Sequence, residues 1–186
     1  MTKRKKIIFY MWLVFICGTL GLYFFNPQFF TAENIKKMSS DNTALNLTIY
    51  FILGTLRGFT LIPSTPMVLA GALFLPLWPL FLVNQLCVFT SSTIVYYWGK
   101  YLEFDVYFSL KFPTEMEKLK VALKGKEIPV VIIWSFFPFV PTDIICYTAE
   151  IVRVKLWKCL VGVGIGEGIL CATYIWGSSS ILQWLI

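Results

Sequence analysis

The chain has 186 residues, of which 58% are hydrophobic, 18% aromatic and only 14% charged. Soluble domains carry about 25% charged residues, so these 16 basic and 10 acidic side chains could not cover a soluble body of this size, and most of the chain must be solvated by lipid. The mean hydropathy of +0.73 agrees. Disorder, a secreted disulfide scaffold and a free nucleic-acid module are excluded; the net charge of +6 flanks apolar runs, which reads as topology signal and contact with anionic lipid. Histidine is absent, which removes His-based metal sites and general bases, and neither a metal nor a cofactor is expected. Cys17, Cys87, Cys146, Cys159 and Cys171 lie in apolar runs without a CxxC pair and read as small hydrophobes.

The cluster Lys3-Arg4-Lys5-Lys6 precedes nineteen uncharged residues, Ile7 to Phe25. That run is too long for a cleaved signal core, and no small-residue cleavage site follows, so a retained membrane-crossing helix with a cytoplasmic N-terminus is expected. Residues 26–44 are polar. Thr31 as cap, Phe30 and Ile35 at staple positions and Glu33 in the first turn predict an outer interfacial helix. Residues 1–44 form this N-terminal unit and 45–186 the main membrane domain.

From Leu45 to Leu102 only Arg57 and Lys100 are charged, over fifty-eight residues. At about 1.5 Å per residue this is too long for one crossing, and Pro63, Pro66, Pro76 and Pro79 cut it into pieces. Residues 103–127 carry five Lys and five acids. Thr114 and Glu117 read as a capping box after Pro113, and Met116, Leu119 and Leu123 share a face, predicting an amphipathic helix on the cytoplasmic side. The block 128–186 follows, interrupted by Arg153-Val154-Lys155-Leu156-Trp157-Lys158 and by Glu167.

The two apolar blocks share punctuation. Pro63-Ser64-Thr65-Pro66 is followed by Tyr96-Tyr97-Trp98-Gly99, and Pro138-Phe139-Val140-Pro141 by Tyr174-Ile175-Trp176-Gly177. The same pair of motifs in the same order at nearly the same distance indicates duplication, with repeat 1 over 45–102 and repeat 2 over 128–186. Each proline pair removes backbone donors and should break a helix inside the membrane. The expected fold is all-α: an inverted repeat of a re-entrant hairpin plus a transmembrane helix, which puts both basic segments in the cytoplasm. The competing reading is five or six plain crossings with proline kinks.

At these residues the chain resembles the DedA superfamily, in its VTT-domain (SNARE-associated Golgi protein-like) branch. The resemblance is carried by Arg57-Gly58-Phe59-Thr60-Leu61-Ile62-Pro63-Ser64-Thr65-Pro66 with Ala70-Gly71, by Phe137-Pro138-Phe139-Val140-Pro141-Thr142-Asp143 with Tyr147, and by Gly162 to Glu167. It covers roughly residues 45–180. It implies two re-entrant loops and movement of lipids between leaflets, as in eukaryotic phospholipid scramblases and bacterial carriers of undecaprenyl phosphate.

Charges inside apolar runs each cost about 2.5–3.5 kcal/mol on insertion scales, so they should share a partner or a wet cavity. Arg57, Asp143 and Glu167, framed by Pro63, Pro66, Pro138 and Pro141, are the expected substrate path, with Arg57 drawing a phosphate. A structural Arg57–Asp143 bridge is the alternative. Arg153 reads as an interfacial residue, and Glu150 as part of the returning hairpin arm. Gly71, Gly162, Gly164, Gly166 and Gly168 are helix-packing positions rather than a phosphate loop. Lipid translocation in a bacterial cytoplasmic membrane is the leading expectation, and a proton- or ion-coupled transporter of a small solute the alternative. An enzyme is not expected, because Ser178-Ser179-Ser180 lacks a base. Expected partners are membrane lipids with anionic headgroups; a homo-oligomer is compatible, and nucleic acid is not.

Overall fold

The computed structural model describes residues 3–25, 42–137 and 141–185. Among these every regular element is helical: α1 Lys3–Phe25, α2 Thr43–Leu56, a 3-10 turn Arg57–Phe59, α3 Thr65–Phe74, α4 Leu77–Tyr101, α5 Phe104–Lys111, α6 Pro113–Leu123, α7 Glu127–Ser135, α8 Thr142–Ile151 and α9 Leu156–Leu185. The interfacial helix expected within 26–44 falls outside the described residues as far as position 41. Asn42 caps α2, its Oδ1 accepting from the N–H groups of Ala44 at 3.0 Å and Leu45 at 3.3 Å.

Leu77–Tyr101 and Leu156–Gly177 are long and apolar enough to cross a membrane. The helices α2, α3, α7 and α8 have 14, 10, 9 and 10 residues, each too short at about 1.5 Å per residue to traverse a hydrocarbon layer about 30 Å thick. Their breaks have local causes. The chain leaves α2 through the 3-10 turn and Leu61, which adopts a left-handed φ of 56°. Pro66 then occupies the first turn of α3, where its missing N–H costs nothing, and Pro141 immediately precedes α8.

Contacts along the helices give their running directions. Tyr50 meets Asn84, Gly54 faces Cys87 and Gly58 faces Ser91, so α2 runs alongside α4 in the same direction. Lys158 pairs with Glu127, Gly162 faces Val131 and Gly166 faces Ser135, so α7 and α9 are parallel in the same way. The two long helices oppose each other: Trp78 packs on Trp176, Phe89 on Gly164, and the Tyr96 hydroxyl donates to the Val154 carbonyl at 2.7 Å. The α7–α9 half therefore runs end for end against the α2–α4 half. The halves also interlock, because α4 packs against α8 of the other half and α9 against α3.

Two apolar clusters result. One, built on Tyr50, Val68, Leu80, Cys87, Cys171 and Ile175, closes the end where α4 begins. The other, which includes Val95, Leu102, Phe104, Met116, Val131, Cys146, Cys159 and Val163, closes the end where α9 begins. On this second cluster α1 lays Ile8, Phe9 and Trp12, and Lys5 Nζ donates to Glu103 Oε1 at 2.6 Å.

The expected capping box on Thr114 and Glu117 does not form. Pro113, with its fixed φ, opens α6 after Phe112, which makes Thr114 helical rather than a cap; no side-chain cap bond is present. Met116 is buried and Leu123 packs on the core, as the amphipathic pattern requires, whereas Leu119 is exposed. The segment before it is a second helix, α5, which the sequence reading left out.

Candidate functional site between the two helix breaks

A polar layer separates the two apolar clusters. Arg57 sits in the 3-10 turn at the tip of the first short-helix pair, Asp143 in the first turn of α8 at the tip of the second, and Glu167 on α9 between Val163 and Cys171. Their exposures are 8%, 1% and 0%, values unusual for charged side chains unless they are paired. Position 91, which Gly58 faces, lies fourteen residues into α4, about 21 Å along its axis and so near the middle of a bilayer.

Gly58 makes the meeting of the tips possible. A Cβ there would lie 3.0 Å from Ser91 Cβ, 3.0 Å from Val95 Cγ2 and 3.1 Å from Asp143 Oδ1. Without that carbon, the first tip lies flush on α4 while the carboxylate of the second tip reaches it. Arg57 Nη2 stands 3.8 Å from Glu167 Oε1, an ion pair too long for a hydrogen bond. Arg57 Nη1, Asp143 Oδ2 and both Glu167 oxygens have no hydrogen-bond partner among the described residues. Buried charged groups with open bonding capacity are costly, and capacity of this kind suits water or a polar cargo.

Beside this layer the Tyr50 hydroxyl donates to Asn84 Oδ1 at 2.8 Å, and Asn84 Nδ2 donates to Cys171 Sγ at 3.1 Å. The relay ties α2, α4 and α9 together. Ser91 and Ser135 are also buried, and the Ser135 hydroxyl has no partner among the described residues. Sequence reasoning missed Tyr50, Asn84, Ser91 and Ser135. Asn84 carried a usable signal, since Asn84-Gln85 are the sole amides in α4 and an amide in lipid asks for a partner.

The remaining expected residues divide by role. Pro63 and Pro66 flank the first tip and Pro141 the second, while Pro138 lies outside the described residues. All five glycines pack helices. A Cβ on Gly162 or Gly166 would strike α7, at 2.6 Å from Val131 and 2.5 Å from the Ile132 carbonyl oxygen; on Gly164 or Gly168 it would strike Phe89 or Gln85 of α4, and on Gly71 it would strike Leu80 and Tyr50. The helix α9 thus uses its alternating glycines against two neighbours, α7 and α4. Glu150 does lie on α8, seven residues or about 10 Å from Asp143. It faces Gly99 rather than the polar layer. Arg153 is exposed and pairs with Asp105 at 2.9 Å.

The family model described as VTT domain matches residues 62–179. That span holds both proline pairs, Asp143 and Glu167, and begins five residues after Arg57. No curated protein and no solved structure matches the chain. The family is membrane-associated, in keeping with a membrane-transport or lipid-related role, and two helices here are fit to cross a bilayer. With the match spanning well over half of its length, the chain is a member of the VTT domain family, the DedA/SNARE-associated Golgi protein-like family of membrane proteins.

Proposed function

We propose that this protein moves lipid headgroups between leaflets through the polar layer, with Arg57 as the group that draws phosphate. The observation that carries the proposal is the convergence of Arg57 and Asp143 from opposed helix breaks onto Glu167, halfway along helices fit to span. Each pair of short helices is read as a re-entrant hairpin. In support, Glu127 and Arg153, the two feet of the second pair, line one pocket with Lys158, and Tyr50 and Gly71 touch across the arms of the first. The third crossing is α1. Its bond from Lys5 to Glu103 sets its basic start at the lysine-rich end, which faces the cytoplasm of a bacterium.

Charge arithmetic refines the mechanism. Arg57, Asp143 and Glu167, all ionised, sum to one negative charge, the wrong sign for a lipid phosphate. Passage of a headgroup therefore goes with neutralisation of one carboxylate by a proton or cation, which releases the guanidinium to bind phosphate bidentately. The same acid excess favours the second reading, a proton- or ion-coupled carrier of a small solute. Either way the protein acts as a carrier and not as an enzyme.

The test is leaflet exchange of a fluorescent anionic phospholipid in liposomes holding the purified full chain. Exchange well above protein-free liposomes is expected, with loss in Arg57→Ala and partial return in Arg57→Lys. Solute uptake without lipid exchange would replace this reading by the second.

A further inference from the structure

A second concentration of charge lies away from the polar layer, at the lysine-rich end. A pocket of about 190 Å³ there is lined by Lys120 and Lys124 from the end of α6, Glu127 from the start of α7, Arg153 and Lys155 from the turn after α8, and Lys158 from the start of α9. Five cations against one acid leave four net positive charges. Glu127 remains ionised near neutral pH, because its own backbone N–H and then Lys158 hold its carboxyl below the ordinary value. Lys158 is paired with Glu127 at 3.1 Å and Arg153 with Asp105 at 2.9 Å. Lys120, Lys124 and Lys155 have no acidic partner among the described residues. Converging unpaired ammonium groups in a concave site repel one another and call for an anion.

The position of the pocket says which anion. It surrounds the first turn of a helix able to cross a membrane, and Trp157 in that turn is exposed, as interfacial tryptophans are. Below Lys158, at spacings of three, seven and eleven residues, Val161, Ile165 and Ile169 are all exposed. At about 100° per residue these fall within about 60° of the Lys158 direction. An apolar track thus descends from the basic pocket into the hydrocarbon layer. The geometry points to a docking site for an anionic phospholipid of the cytoplasmic leaflet, its phosphate among Lys120, Lys124 and Lys155 and an acyl chain along Val161, Ile165 and Ile169. Because Glu127 and Arg153 are the two feet of the α7–α8 pair, a bound headgroup would bridge those feet and the end of α6. The inference rests on the chain lying in a membrane and not on lipid transport.

The experiment measures binding by the purified full chain in neutral detergent, read as ligand-induced thermal stabilisation. Short-chain phosphatidylglycerol, short-chain phosphatidylcholine and inorganic phosphate are compared. Wild type should be stabilised by phosphatidylglycerol and by neither of the others at equal concentration. In the triple variant Lys120→Ala/Lys124→Ala/Lys155→Ala the affinity for phosphatidylglycerol should fall about 100-fold. Equal stabilisation by inorganic phosphate would assign the pocket to a soluble anion and overturn the lipid reading. Unchanged phosphatidylglycerol affinity in the triple variant would overturn the site itself. Should the triple variant not fold, Lys155→Glu, a single change at an exposed position, must weaken phosphatidylglycerol binding at least tenfold or the site is refuted. Loss of leaflet exchange has no bearing on these readouts.

Discussion

Replacing Arg57 by Met removes the one cation that the described residues bring to the polar layer, and leaves Asp143 and Glu167 buried at 1% and 0% exposure. At the observed 3.8 Å and an effective dielectric of about 20, the lost attraction to Glu167 is about 4 kcal/mol. That agrees with the roughly 3–5 kcal/mol lost when one partner of a buried pair is removed, and it is a large share of a total stability of about 5–15 kcal/mol. Arg57→Met should therefore lower the melting midpoint in detergent sharply and abolish leaflet exchange in liposomes. The double variant Arg57→Met/Glu167→Gln restores the single net negative charge of the layer with one acid in place of three ionised groups. Its stability should return most of the way. Its transport should not, because nothing is left to draw phosphate. Joint recovery of stability and lipid exchange in that variant would refute the headgroup role and leave Arg57 as a structural lock.

Gly166→Ala would place a carbon 2.5 Å from the Ile132 carbonyl oxygen, so α7 must shift; a loss of about 1–3 kcal/mol is expected in thermal unfolding. Gly177→Ala, with nothing within 4 Å, should cost nothing and serves as its control. At the lysine-rich end, the hydrogen bond from Lys5 holds the Glu103 carboxyl below its ordinary value. A lowered folded value means the tie is complete above the unfolded pKa and is lost as pH falls through the folded one. Protection of the first turns of α1 against hydrogen exchange, relative to the intrinsic rate at each pH, should accordingly fall in acid, and Glu103→Gln should produce the same loss of protection at neutral pH.

What was legible in the sequence was whatever lipid makes expensive. Arg57, Asp143 and Glu167 stood out because a charge in an apolar run needs a reason, and the structure brings all three into one layer. The proline pairs and the alternating glycines were equally visible, since backbone breaks and close approaches leave their marks locally. Longer-range facts were not. That the Tyr50 hydroxyl finds Asn84 and that Asn84 finds Cys171 depends on α2 running parallel to α4 while α9 opposes it. No local pattern encodes those directions. Glu150 was expected on the returning arm; it lies on α8 and is buried, but it faces Gly99 rather than the polar layer. The false capping box at Thr114 shows a local rule losing to a stronger one, the dihedral lock of Pro113.

The interlocking of the two halves has a consequence for synthesis. Arg57 leaves the ribosome 110 residues before Glu167, by the difference of their positions. At about 5–20 residues per second that is a delay of roughly 5–20 s. Throughout it α2 and α3 have neither α8 nor α9 to pack against, and Arg57 has no counter-ion from Asp143 or Glu167. The nascent first half therefore lacks part of the packing and the charge pairing of the finished fold. Its packing is complete only once the second half arrives, so the folding of the two halves is coupled.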